Sequence, residues 1–340
     1  MKGQRPILAL VICASAVAIS FLVSWAYGST GASWGDLWQT LWGDTDLATR
    51  EIFLRVRLPR VLLAAVVGAG LSVAGVAFQA LLRNPLAEPF LVGVSGGGVL
   101  GATIALGLGL ETIGLGLSAR PLFAFAGALG SVALILWFAR VQGRLQNTTI
   151  LLTGVVLNAI YSAAILFLTS FLPPERFQAI MAWMRGTLVP RDSGETLPLA
   201  AGLVLVGTAV LYRQARSLDV VTFGEDSARG LGVDTRRLRL VVLIVASVIT
   251  GAVVAISGLI GFVGLLVPHV LRSLFGPRHR LLLPTALLGG AAFMMLADTL
   301  VRVLSRPLTS EFPVSVVTAL VGGPFFLFLL RRERRRLYWG

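Results

Sequence analysis

VLLAAVVGAGLSVAGVAFQALL, residues 61–82, decides the fold. It holds no charged residue and is bracketed by Arg57 and Arg60 before it and Arg83 after it. About 20 apolar residues in a row are what a helix needs to cross roughly 30 Å of bilayer hydrocarbon. Outward from this stretch the pattern recurs. Apolar runs lie near 7–27, 61–82, 90–110, 121–138, 149–172, 197–212, 240–256, 258–271, 281–299 and 314–330. The chain has 340 residues, 56% hydrophobic and 13% charged, with mean hydropathy +0.85. A soluble domain carries about 25% charged residues. The reading is therefore an all-α, polytopic membrane protein of about ten transmembrane helices, forming one domain over residues 1–340.

Two runs need a decision. No charge separates Arg239 from Arg272, and the 32 residues between them are short for two full crossings. Gly258 and Gly261 offer a break, against the alternative of one overlong helix. The first run follows Lys2 and Arg5 like a secretion signal, but its length of about 20 residues exceeds a 7–15-residue signal core, so it is read as a span. Cys13, the single cysteine, lies in it, which excludes an intrachain disulfide or a thiolate cluster.

Charge gives orientation. Ten spans put both termini on one side. That side carries 19 Lys and Arg, at the N-terminal tail, Arg83, residues 140–144, 213–239 and 272–280, and the tail from Arg331; the other side carries 10. The positive-inside rule makes the termini cytoplasmic. The run at residues 331–336 suits anionic lipid headgroups. Nucleic-acid binding is disfavoured, because no basic face alternates with stacking aromatics.

Several chemistries lack their residues. Lys2 is the only lysine, so no phosphate-cradling P-loop exists. Residues 96–101 fit GxGxxG, but inside an apolar run without a preceding soluble strand. His269 and His279 form no metal motif, and no GxSxG brackets a nucleophile. The chain does not read as an enzyme.

Small residues four apart, Gly68 with Ser72, Gly70 with Ala74, Gly97 with Gly101 and Ala126 with Gly130, predict close helix packing. Residues 68–78 echo residues 250–262 in spans of opposite direction, an inverted repeat in outline. Residues 84–89 (NPLAEP) place two prolines where a continuous helix cannot run. They are either a reinforced turn or a constriction with Asn84 and Leu86 in a path. Residues 258–269 form a second broken segment. Asp298 and Arg302, four apart on one helix face, predict an ion pair, with proton relay the competing role. Residues 213–239 form the longest cytoplasmic loop, and residues 28–60 the longest outer one.

These residues together resemble a family. RLPR at 57–60, GAGLSVAGVAFQALLRNPLAEP at 68–89, LVGVSGG at 91–97, GEDSARGLGV at 224–233, GLIGFVGLLVPHVLR at 258–272, LADTLVR at 296–302 and PVSVVTALVGGPFF at 313–326 are similar, in order, to the permease subunits of ABC importers for iron–siderophore, haem and cobalamin. The resemblance implies a homodimer with its path on the dimer axis. It also implies two separate ATPase subunits inside, which hold ATP and magnesium, and a binding protein outside. It assigns Glu225, Asp226, Ser227, Ala228, Arg229, Gly230, Leu231 and Gly232 to ATPase coupling, Asn84 and Leu86 to a cytoplasmic gate, and Arg57, Arg60 and Arg302 to binding-protein docking. Asn158 and Ser162 become candidates for lining the path or for bonding neighbouring helices. Trp183 and Gly186 match a WxxG pattern at the outer mouth. The implied cargo is a metal chelate, a ferric siderophore first and cobalamin or haem next. A gradient-driven secondary transporter is the alternative.

Overall fold

The computed structural model describes every residue except 1–3, 31–33, 44–45, 114–116, 142–143, 191–195, 308–309 and 339–340. In hydrocarbon every backbone N–H and C=O must be satisfied within the chain, and helices do this locally. The described residues are accordingly almost all helical. In order the helices are α1 (Gln4–Ala26), α2 (Trp34–Trp42), α3 (Leu47–Glu51), α4 (Leu58–Leu82), α5 (Val94–Gly107), α6 (Ala119–Phe138), α7 (Asn147–Thr169), α8 (Pro174–Met184), α9 (Thr196–Arg213), α10 (Ala215–Val221), α11 (Glu225–Gly230), α12 (Thr235–Ser257), α13 (Val263–Phe275), α14 (His279–Leu304) and α15 (Val314–Tyr338). Two antiparallel hairpins of two-residue strands close the turns around α6: β1 (Thr112–Ile113) with β2 (Leu117–Ser118), and β3 (Arg140–Val141) with β4 (Arg144–Leu145).

Seven helices are long and apolar enough to span a bilayer, and α5, α13 and α15 add three shorter apolar ones. The seventh and eighth runs are therefore separate helices, and the overlong-helix alternative falls. Gly258 (φ 71°) ends α12 and Phe262 (φ 68°) starts α13. Gly258 is required there, because a Cβ would sit 2.2 Å from the Trp183 carbonyl oxygen.

Helix α4 is the axis of the bundle. The apolar window of its span is 83% buried, against 22% for α1 and for α9. Helix α14 runs antiparallel to it with backbones touching: a Cβ on Gly68 would lie 2.1 Å from the Gly290 oxygen, and one on Gly290 would lie 2.2 Å from that of Gly68. Gly75 meets Gly264 of α13 in the same way. Helices α5 and α6 join through Gly97, Gly101 and Gly127.

Four expectations need correction. Residues 28–60 are not simply a loop: after α2 and α3 the chain continues through a π-wound segment, Ile52–Arg57, straight into α4. Pro59 lies where the π-wound segment passes into α4, and Arg57 and Arg60 on either side of it are helical residues. The third run yields helix only from Val94, and residues 84–93 form a turn-rich approach. On α6 the packing ridge is Gly127 with Ser131; Ala126 and Gly130 face outward. The echo does not extend to the backbone, since residues 68–78 lie inside α4 while residues 250–262 run off α12 into the break.

Candidate functional site

The two broken segments meet. Loop 83–93 leaves α4 through Arg83 in the left-handed region, and Asn84 Oδ1 accepts the Leu86 N–H at 2.9 Å. Asn84 thus shapes its own turn, and both it and Leu86 are half-buried. Further on, Glu88 reaches across, and its Oε2 accepts the N–H of Phe262 at 3.2 Å, capping the start of α13. A carboxylate is favoured there by the orphan N–H groups and the positive end of the helix dipole.

Gln79 of α4 completes this joint. Pro268 has no N–H, so the Gly264 carbonyl of α13 loses its partner one turn back. Gln79 Nε2 donates to that oxygen at 3.1 Å, while Gln79 Oε1 accepts from Arg272 at 3.0 Å. One buried amide therefore satisfies the break and secures the far end of the same helix. His269 packs edge-on to Phe325 of α15, a structural placement.

From α7, Asn158 Nδ2 donates to the Phe90 carbonyl at 2.8 Å. Asn158 thus bonds the segment that precedes α5, and it is half-buried. Ser162 is exposed, on the same face as Val155, Ala159 and Leu166.

At the end of the bundle where α4 begins, the three predicted arginines converge, and they are buried. Arg302 is 2% exposed. Its Nε lies 2.9 Å from Asp298 Oδ2, and its other nitrogens donate to the Tyr27 and Ser24 carbonyls and to Thr299. Arg60 reaches Asp298 from α4 through Nε and Nη2, and its Nη1 is 2.7 Å from Glu311. Arg57 donates to the Trp25 and Ala26 carbonyls and to Thr30, with its guanidinium over the Phe53 ring. Asp298 is the predicted partner of Arg302, but it serves Arg60 equally. A cleft beside this cluster is lined by Arg60, Arg185, Gly186, Asp298, Glu311 and Phe312. The WxxG pair packs here: Gly186 lies against the Leu259 carbonyl, and the Thr187 N–H bonds the Ser257 carbonyl at 2.8 Å.

At the opposite, basic end, loop 213–239 folds into α10 and α11. Gly224 (φ 123°) opens α11 and Gly232 (φ 80°) follows it. Ala228 is buried, while Asp226, Ser227, Arg229, Gly230, Leu231 and Gly232 are exposed. The side chain of Glu225 lies outside the described residues, as do those at 332–336. Two large apolar side chains flank α11 in the open, Phe223 at 84% and Leu231 at 72% exposure. Behind them, Asp219 Oδ1 accepts the His279 N–H at 2.8 Å and lies 2.6 Å from His279 Nδ1. Burial raises the Asp219 carboxyl, but the hydrogen bonds from His279 and the charges of His279 and Arg278 outweigh it and hold its pKa below the ordinary carboxylate value.

Known proteins are similar to this chain over nearly its whole length. The FecCD transport family matches residues 16–332. The chain belongs to that family. The FecCD match takes in every candidate residue named above. An uncharacterised ABC transporter permease protein, YvrB of Bacillus subtilis, is 39% identical over 96% of this chain and 94% of its own. The hemin transport system permease HmuU of Yersinia pestis is 39% identical over 99% of each chain. A solved structure described as an inward-facing metal-chelate type ABC transporter superposes with TM-score 0.81 at 30% identity, covering 96% of this chain and 99% of that one. FecCD proteins are membrane-spanning permease subunits, and the all-α polytopic fold found here is theirs.

Sequence reading missed Gln79, Glu88, Asp219 and Phe223 as working residues. Only Pro268 gave a usable signal, since a proline inside a span demands a donor-rich neighbour for the carbonyl it frees.

Proposed function

We propose that this chain is the membrane-spanning half of an ATP-driven importer of metal chelates in a bacterial inner membrane, with both termini cytoplasmic. One observation carries the reading: a FecCD match over nearly the whole of a chain that has no phosphate-binding loop of its own. Nucleotide chemistry then belongs to two separate ATPase subunits that hold ATP and magnesium. The relatives' names support a ferric chelate, haem or cobalamin as cargo, with a ferric siderophore the first choice. Two copies pair with the path between them, and the exposed α7 face bearing Ser162 is turned towards that path. Asn84 and Leu86 stand at its inner end as the gate.

Residues 225–232 are the coupling surface, with Phe223 and Leu231 as apolar anchors beside the short helix. The outer cluster of Arg57, Arg60 and Arg302 supplies the positive field that meets an acidic delivery protein. Their burial sets a condition on direct bonding: the partner's carboxylate must displace Glu311 from Arg60, or a backbone carbonyl from Arg57 or Arg302. A gradient-driven transporter needs an available carboxylate at membrane depth. Asp298 has both oxygens held by arginines, which argues against that reading.

The test is uptake into proteoliposomes containing this chain and its ATPase, with delivery protein outside. A radioiron-loaded hydroxamate siderophore, haemin and cyanocobalamin are compared. ATP-dependent accumulation of one of them is expected, and it is lost when Glu225–Gly230 is replaced by a Gly/Ser linker. Uptake without any ATPase, or undiminished uptake by the linker variant, overturns the proposal.

A further inference from the structure

We infer that Asp219 and His279 form the joint through which movement of the coupling loop reaches the transmembrane bundle, making them positioning residues for transport. The inference rests on the coupling role proposed for residues 225–232. The loop is bound covalently only to α9 and α12. Helix α14 begins 60 residues after Asp219, yet its first residue is held by the loop. Asp219 Oδ1 takes two hydrogen bonds from one residue, the first backbone N–H of α14 and its imidazole Nδ1. No side chain of α14's own N-cap residue does this work: Arg278 makes no capping bond. The loop therefore supplies the cap, and a carboxylate at a helix N-terminus is the favourable choice.

The imidazole has no other attachment among the described residues. His279 is 3% exposed, and its Nε2 is buried with no hydrogen-bond partner. A leucine there would fill the space without leaving a buried polar atom unpaired. Among the described residues the ring's one polar contact is therefore its bond to Asp219.

What the joint holds is a lever. Helix α14 is 26 residues long, about 39 Å at 1.5 Å per residue. It touches α4 backbone to backbone at Gly68 and Gly290, and Asp298 clamps it to Arg60 of α4 near its far end. The two helices therefore move together. Helix α4 leads directly into residues 84–89, the candidate gate. A displacement of α10 thus has a continuous route to the gate segment, through the Asp219–His279 bonds, α14 with Pro284 in its second turn, and α4.

The test uses the chain assembled with its ATPase and follows hydrogen exchange with and without ATP and vanadate. Wild type should change exchange at residues 279–285 and 84–92 on trapping, by at least threefold. Asp219→Ala and His279→Ala should keep ATPase capture but lose the change at 84–92. His279→Asn, whose amide nitrogen reaches the Nδ1 position, should restore part of it. A merely structural role would alter exchange equally in both nucleotide states and leave the difference intact. If Asp219→Ala yields no folded protein, Asp219→Asn replaces it and should weaken the change at 84–92. A full wild-type response at 84–92 in the Ala variants overturns the joint, as does loss of ATPase capture, which would place Asp219 in the docking surface. If the wild-type chain captures no ATPase, it is the coupling proposal that fails.

Discussion

Gln79 is the residue whose removal should be felt furthest from where it stands. Gln79→Leu leaves the Gly264 carbonyl unpaired in a buried helix, at a cost of about 1–3 kcal/mol. Pro268→Ala gives that carbonyl a donor of its own. Thermal unfolding in detergent should therefore show the Gln79→Leu penalty shrinking by about 1 kcal/mol in the Pro268→Ala background; equal penalties in both backgrounds would refute the pairing. Asp298→Asn leaves buried Arg302 without a carboxylate and Arg60 with Glu311 alone, and should cost about 3–5 kcal/mol, seen as a lower Tm and lower yield of monodisperse protein. Asp219 carries the pH dependence. Its folded pKa lies below its unfolded one, so its stabilisation is complete above the unfolded value and is lost as pH falls through the folded one. The Tm gap between wild type and Asp219→Asn should hold steady from pH 7 to pH 5 and close only below about pH 4. Of these contacts the sequence announced one. Asp298 and Arg302 are four apart on a helix, a spacing that local geometry alone makes into a pair. Arg60 lies 238 positions from Asp298, and Gln79 lies 185 from Gly264, so nothing local in one chain reveals either.

Elements follow a different logic, in which the absence of a Cβ decides which helices touch. Gly101→Val drives a side chain into the Phe123 carbonyl, where even a Cβ comes within 2.0 Å, and should abolish recovery of folded protein. A Cβ on Gly130 would meet nothing within 4 Å, so Gly130→Ala should be neutral or stabilise by about 0.5–1 kcal/mol through helix propensity. Comparing the Tm of the two variants checks both; a damaging Gly130→Ala would restore the Ala126–Gly130 ridge as a packing face. Both ridges satisfy the four-residue spacing, which is why the sequence could not choose between them: they differ by one position, and the choice depends on which neighbour arrives. Span positions were legible because charge is expelled from hydrocarbon. The helices of residues 34–57 were not, because that segment mixes charge with tryptophan and lacks a span's uniformity. Helix α11, the proposed coupling segment, sits in between: its motif was readable, whereas the exposure of Phe223 beside it depends on how α10 and α11 fold against the bundle.

For the whole molecule the decisive quantity is the charge difference between its two ends. The end that bears Arg83, residues 213–239 and residues 272–280 holds most of the basic side chains, and attraction to the anionic inner leaflet together with the positive-inside rule supports the proposal that it faces the cytoplasm. The fold makes this assignment global. Helices α4 and α14 are antiparallel and joined near the start of α4 and again at mid-span, so the bundle cannot invert one helix without losing the Gly68–Gly290 contact and the Asp298 clamp. Locating two residues therefore tests the orientation of the whole bundle. Cys13 is the only cysteine and is buried, so Cys13→Ala gives a clean background. Phe223→Cys and Trp38→Cys then place one exposed thiol at each end. A membrane-impermeant maleimide should label Phe223→Cys in inside-out vesicles and Trp38→Cys in right-side-out ones. The reverse pattern would put the proposed coupling surface beyond reach of any cytoplasmic ATPase, and the proposal of an importer would fall with it. Labelling of both from one side would break the even count of crossings, because α1 lies before Trp38 and the two positions are separated by the five spans α4, α5, α6, α7 and α9.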